Sequence, residues 1–185
     1  MSDYTFVADV FVDQLVGGGE LNDFEVKNQI ESKGYSTSRI HSHHLYADRL
    51  TEDTCYVVSN FLNMPPTTLQ AIKNYKYVIY EHDHKYLRTR NPAMYADFLA
   101  PEADVVNLEL YQKAQAVFCQ SKFHFDIIQK NTKLDNLVNM GGNMWDLESL
   151  SHMRTLAETE KTDTVAVLDS VIPHKNTKDA VRYCI

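Results

Sequence analysis

The side chains able to do chemistry gather at a few places in this chain. Glu81-His82-Asp83-His84 puts four ionisable groups in a row directly after the apolar run Tyr77–Tyr80. An imidazole in that setting can take a proton from a hydroxyl near neutral pH, and a neighbouring carboxylate can orient it, so His82 with Asp83 forms a candidate catalytic pair. A solvated polar loop and a metal site are the competing readings. His41, His43 and His44 could add ligands, but HxHH matches no zinc spacing and no cysteine is near, so metal is set aside. Three of the six glycines stand together at Gly17-Gly18-Gly19, followed by Glu20. Glycines there let backbone N–H groups approach an anion or sugar hydroxyls at a helix start; a flexible turn is the plainer alternative. Lys175-Asn176 opens a helical pattern, where a lysine can meet a phosphate, although an ordinary exposed lysine reads the same way. GxGxxG, GxxxxGK[ST] and G-x-S-x-G are all absent.

These residues need elements to position them. Tyr4–Val12, Arg39–His41, Cys55–Phe61, Tyr77–Tyr80, Ala116–Cys119 and Leu137–Met140 read as strands. Helical patterns lie between them: Phe24–Lys33 with Gly34 as its stop, Thr68–Tyr75 after Pro65-Pro66, Asp104 capping a helix through Ala114, and Ser121 capping one with Phe123, Ile127 and Ile128. Alternating strands and helices predict the α/β class, a Rossmann-like doubly wound parallel sheet in three αβα layers. Strands such as YVIY and AVFC are apolar on both faces, as a sheet covered on both sides requires. Gly17–Gly19, His82 and Ser121 then fall at carboxyl ends of strands, where such sheets bind ligands.

The pattern changes after residue 145. Residues 146–163 read as an amphipathic helix, with Leu147, Leu150, Met153 and Ala157 along one face, and a polar linker. Residues 164–185 read as a new strand, Thr164–Leu168, and a new helix, Asn176–Cys184, opening a second domain after the Rossmann-like domain of residues 1–145.

The totals exclude several classes. With 185 residues, 44% hydrophobic and 23% charged, the chain is no disordered or fibrous protein. A net charge of −7 and scattered basic residues argue against nucleic acid, which demands a basic stripe. No apolar run approaches the roughly 20 residues that cross a bilayer. The N-terminus lacks the marks of a signal peptide, so a cytoplasmic location is expected, with Cys55, Cys119 and Cys184 as free thiols.

Taken in order, these pieces resemble a known family. The strand, Gly17-Gly18-Gly19-Glu20, and the helix to Gly34 are similar to the GG-x-E opening of GT-B glycosyltransferases, most like glycosyltransferase family four. Tyr111 to Ser121 (YQKAQAVFCQS) resembles that family's Y-x-x-A-D-x-V-x-x-x-S step, and Glu81-His82-Asp83 its acceptor-side histidine segment. Val165 to Tyr183 resembles the first strand, donor-phosphate lysine and helix of its donor domain. The resemblance implies an acceptor-side domain over 1–145 and the first strand-helix unit of an incomplete donor-side domain over 164–185. It further implies hexosyl transfer from a nucleotide sugar, a UDP- or GDP-sugar, to a hydroxyl on a glycan, lipid or small molecule, with no permanently bound cofactor. His82 and Asp83 would face the acceptor. Gly17, Gly18, Gly19 and Glu20 would line the cleft, and Lys175 with Asn176 would meet the leaving diphosphate. The family's arginine about five residues before that lysine and its E-x7-E segment have no counterpart. A truncated enzyme is therefore expected, one that need not be active alone. The alternative is a non-catalytic Rossmann-like binding or assembly module, forming a homodimer or pairing with a partner that supplies the missing domain.

Overall fold

Six strands form one all-parallel sheet in the computed structural model, which describes residues 2–169 and 176–184. They are β1 (Tyr4–Ala8), β2 (Thr37–His41), β3 (Cys55–Val58), β4 (Tyr77–Glu81), β5 (Val117–Cys119) and β6 (Leu137–Asn139), in spatial order β2-β1-β3-β4-β5-β6. The helices that flank the sheet are α1 (Gly18–Ser32), α2 (Pro66–Ala71), α3 (Leu108–Lys113) and α4 (Lys122–Thr132), giving the Rossmann-like three-layer αβα arrangement. The first crossover runs from β1 to β2, while every later step runs the other way, so strand order reverses between β1 and β3. That reversal opens a crevice outside the carboxyl ends of the strands.

Alternation along each strand explains both apolar layers. Phe6 and Ala8 of β1, Val57 of β3 and Tyr80 of β4 pack with Phe11, Val26 and Ile30, the last two from α1. Their neighbours Val7, Tyr56, Val58, Tyr77, Ile79 and Val117 point the other way, against Ile72, Leu110, Tyr111 and Ile128. Burying both sets stabilises the sheet by roughly 25 cal/mol for each Å² of apolar surface removed from water.

Local chemistry shifts several boundaries. β1 ends at Ala8, not Val12, because its ladder partners end at His41 and Val58. The helix expected from Phe24 begins at Gly18; Glu20 supplies an acidic side chain in its first turn and Asn22 Nδ2 donates to the Gly18 carbonyl at 2.8 Å. It stops where Gly34 turns the chain at φ +89. The helix expected from Asp104 through Ala114 is broken. Glu102–Asp104 makes one tight turn, Val105 bridges to Leu87, and Asn107, at φ +56, resets the chain before α3. The Asp104 carboxylate instead accepts from Arg88 Nε at 3.3 Å and from the Tyr95 hydroxyl at 3.0 Å.

The chain divides into two compact units, Met1–Trp145 and Asp146–Ile185. In the second unit, Asp146 caps α5 (Leu147–Glu158) by accepting from the Ser149 N–H at 2.7 Å, and α6 spans Thr177–Cys184. Neither helix buries a residue. The strand expected over Thr164–Leu168 does not form: these residues have no regular structure, and Val165 and Leu168 are exposed. A lone apolar run has no ladder to join, and the second unit offers no second strand among the described residues. No helix among the described residues is long and apolar enough to cross a membrane.

Candidate functional site

The strand-order reversal creates a crevice of about 190 Å³ whose walls come from the ends of β1, β3 and β4 and from the first turns of α1. Ala8 ends β1 and Val10 follows it, Ser59 and Asn60 follow β3, and His82, Asp83 and Lys85 follow β4; Gly19, Glu20 and Asp23 come from α1. Gly19 lies against the His82 ring, where an added Cβ would sit 3.5 Å from it. At Gly17 a Cβ would collide with the Glu20 carboxylate, which reaches back over the start of the helix. The negative charge of Glu20 thereby occupies the end of α1 that would otherwise attract an anion.

His82 is held at both ring nitrogens. Nε2 lies 3.0 Å from Asp23 Oδ1, and Gln120 Nε2 lies 2.7 Å from Nδ1. A carboxylate only accepts, so Nε2 carries the hydrogen; an amide NH2 only donates, so Nδ1 carries the lone pair. The two contacts assign the same tautomer. Beneath the ring, Tyr80 packs edge-on with centroids 4.6 Å apart, and its hydroxyl donates to Asn22 Oδ1 at 3.2 Å. Asn22 Oδ1 also accepts from the Met144 N–H at 2.8 Å.

The Asp83 carboxylate bonds to two cations, and the His82 ring bonds to Asp23 and Gln120. The Asp83 oxygens accept from Lys85 Nζ at 2.5 Å and Arg90 Nη1 at 3.0 Å. Lys85 also donates to Glu81 Oε1 at 3.0 Å, and Tyr111 donates to Glu81 Oε2. Glu81 is fully buried; burial alone would push its carboxyl up, but Lys85, the Tyr111 hydroxyl and the Asp83 N–H outweigh it and hold it at about 2. The opposing charges of Glu81 and Asp83 likewise overcome burial to raise the Lys85 ammonium above its ordinary value. This network fixes the loop after β4 and so aims His82.

His84 turns away from the crevice. Its backbone is at φ +58, its Nδ1 lies 3.0 Å from the Tyr86 hydroxyl, and its ring packs 4.6 Å from that of His124. Burial pushes His84 down to about 4, with His124 adding to the effect, and burial also lowers His124. Asp9 ties the neighbouring loops instead: it accepts from the Ser42 hydroxyl and, at 3.1 Å each, from the Leu62 and Asn63 N–H groups.

The first unit thus brings together Gly19, Glu20, His82 and Asp83 of the expected residues, with Gly17 and Gly18 at the head of α1. Lys175 lies outside the described residues. Asn176, in the second unit, is exposed at φ +55 and precedes α6. His41, His43 and His44 pack ring against ring, with centroids 4.1 to 6.0 Å apart. Among the described residues no three His, Cys, Asp or Glu side chains are grouped to hold a metal ion.

Three members of the site escape sequence reasoning. Asp23 stands four residues after Gly19 on one helix face, a relation visible only once α1 is known to start at Gly18. Gln120 follows β5 directly and Asn60 stands two residues after β3, so position at a carboxyl strand end is the available signal. No family model, no curated protein and no solved structure matches the chain.

Proposed function

We propose that the first unit binds the hydroxyl acceptor of a glycosyl transfer in this crevice, with His82 as general base and a UDP- or GDP-sugar as donor. The observation that carries the reading is the 3.0 Å contact between His82 Nε2 and Asp23 Oδ1 at the point where strand order reverses. In such a pair the carboxylate orients the ring and stabilises the imidazolium that forms. The acceptor hydroxyl donates to Nδ1. As its oxygen bonds to the anomeric carbon and the bond to the nucleoside diphosphate breaks, the proton passes to Nδ1. Asp83, through Lys85 and Arg90, keeps the loop in place. By resemblance to glycosyltransferase family four, Lys175 and Asn176 belong to the donor side, where Lys175 would neutralise the departing diphosphate.

The test is a transfer assay with UDP-glucose and GDP-mannose, run on this chain and on any longer protein that contains it. Where transfer is measured, His82→Ala and Lys175→Ala should each lower the rate by about 100-fold or more. Indifference to both substitutions refutes the assignment.

One observation favours a second reading, a non-catalytic module that pairs with another chain or a second copy. Leu147, Leu150, Met153 and Leu156 of α5 are all exposed, and the second unit buries no helical residue. Light scattering after size exclusion discriminates: a concentration-independent monomer removes the homodimer.

A further inference from the structure

The Nδ1 lone pair that the proposed base needs is already engaged. Gln120 Nε2 donates to it at 2.7 Å, shorter than the 3.0 Å contact on the Asp23 side. Gln120 sits between the end of β5 and Ser121, the cap of α4, in neither element. Both ring nitrogens being bonded within the protein, no acceptor can donate to His82 while this amide stays in place.

We infer that Gln120 is a displaceable stopper on His82. It holds the ring in the Nε2–H tautomer when the crevice is empty, and an acceptor hydroxyl must displace the Gln120 carboxamide from Nδ1 before its proton can move. This deepens the general-base reading and rests on it. The displaced carboxamide keeps an oxygen acceptor and two N–H donors, enough to hydrogen-bond a second hydroxyl of a polyol beside the one bonded to Nδ1. A ligand bearing adjacent hydroxyls can therefore replace the lost hydrogen bond, whereas one with a lone hydroxyl leaves the amide without a partner and exposes the site to its desolvation cost. The stopper favours a vicinal diol over a simple alcohol.

The experiment uses the full chain, wild type and Gln120→Leu, with two readouts that require no substrate. Nitrogen-15 NMR of the imidazoles should show His82 with a protonated Nε2 and a hydrogen-bonded, unprotonated Nδ1. In Gln120→Leu the Nδ1 resonance should move downfield as that bond is lost. Carbethoxylation by diethyl pyrocarbonate needs a free ring nitrogen, so wild-type His82 should react more slowly than exposed His152. Gln120→Leu should accelerate His82 about fivefold, the population freed by one hydrogen bond of about 1 kcal/mol. Folding of the variant is checked by an unchanged rate at His152 and an unchanged amide spectrum away from the crevice. Wild-type His82 reacting as fast as His152, a protonated Nδ1, or an unmoved Nδ1 resonance in Gln120→Leu each overturns the inference. Where transfer is measurable, Gln120→Leu should lower the KM of a lone-hydroxyl acceptor, because the binding-competent fraction rises, and should narrow the preference for a vicinal diol, which loses its second hydrogen bond. If the two substrate-free readouts behave as expected but His82→Ala leaves transfer intact, glycosyl transfer through His82 fails while the hold of Gln120 on Nδ1 stands.

Discussion

Replacing Lys85 by Met tests how the loop after β4 is held. Glu81 is fully buried and Lys85 is 2% exposed, so water cannot replace the ammonium once it is gone. The stranded carboxylate keeps the Tyr111 hydroxyl and the N–H groups of Asp83 at 3.0 Å and Lys85 at 3.3 Å, but no countercharge at bonding distance. Removing one partner of a buried pair costs about 3–5 kcal/mol. Linkage gives a similar figure: holding Glu81 at about 2 against an ordinary 4.5 corresponds to about 3 kcal/mol of stability at neutral pH. Urea unfolding of wild type, Lys85→Met, Glu81→Gln and the double variant measures it. Lys85→Met should lose about 3 kcal/mol or more, and the double variant should lose less than the sum of the singles. The pH dependence also changes sign. In wild type the folded value lies below the unfolded one, so the contribution is complete above about 4.5 and disappears as pH falls towards about 2. In Lys85→Met the carboxyl is pushed upward by burial, so acid should stabilise that variant relative to neutral pH. A loss under about 1 kcal/mol, additive singles, or an unchanged pH slope would refute the reasoning.

Other substitutions probe the frame around the site. His84 is lowered to about 4 from an ordinary 6.5, so its neutral form favours folding above about 6.5 and the unfolded chain takes up protons first as pH falls. The melting temperature should therefore drop between pH 6.5 and 4, and His84→Asn, which tolerates φ +58, should flatten that drop. Gly34→Ala forces an L side chain to φ +89 with open space around it, and should cost about 1–2 kcal/mol in chemical unfolding through backbone strain alone. Ser121→Ala removes the 3.1 Å bond to the His124 N–H that caps α4, and should cost about 1 kcal/mol with helix content otherwise retained.

The sheet is legible in the sequence because its central strands are short, β-rich and apolar on both faces, and because turn residues separate them. Tyr77–Tyr80 and Ala116–Cys119 can scarcely be read otherwise. What escapes is what depends on partners distant in the chain. The start of α1 is obscured by Gly18 and Gly19, poor helix formers, and with it goes Asp23. Asp104 has the composition of a helix cap, yet Arg88 and Tyr95 claim its carboxylate. Thr164–Leu168 has the composition of a strand, but composition does not supply a neighbour. Asp83 looks like the natural orienting acid for His82 because it is adjacent, and adjacency in a loop puts two side chains on different sides.

The outermost strands have a consequence for behaviour in a crowded solution. An open sheet exposes two rows of unpaired N–H and C=O groups, and any chain that zips onto them starts an aggregate. Here β2 reads Thr-Ser-Arg-Ile-His, with Arg39 drawn to Asp13 at 2.8 Å, while β6 is only three residues long. A polar margin on one side and a stub on the other give a seventh strand little to grip.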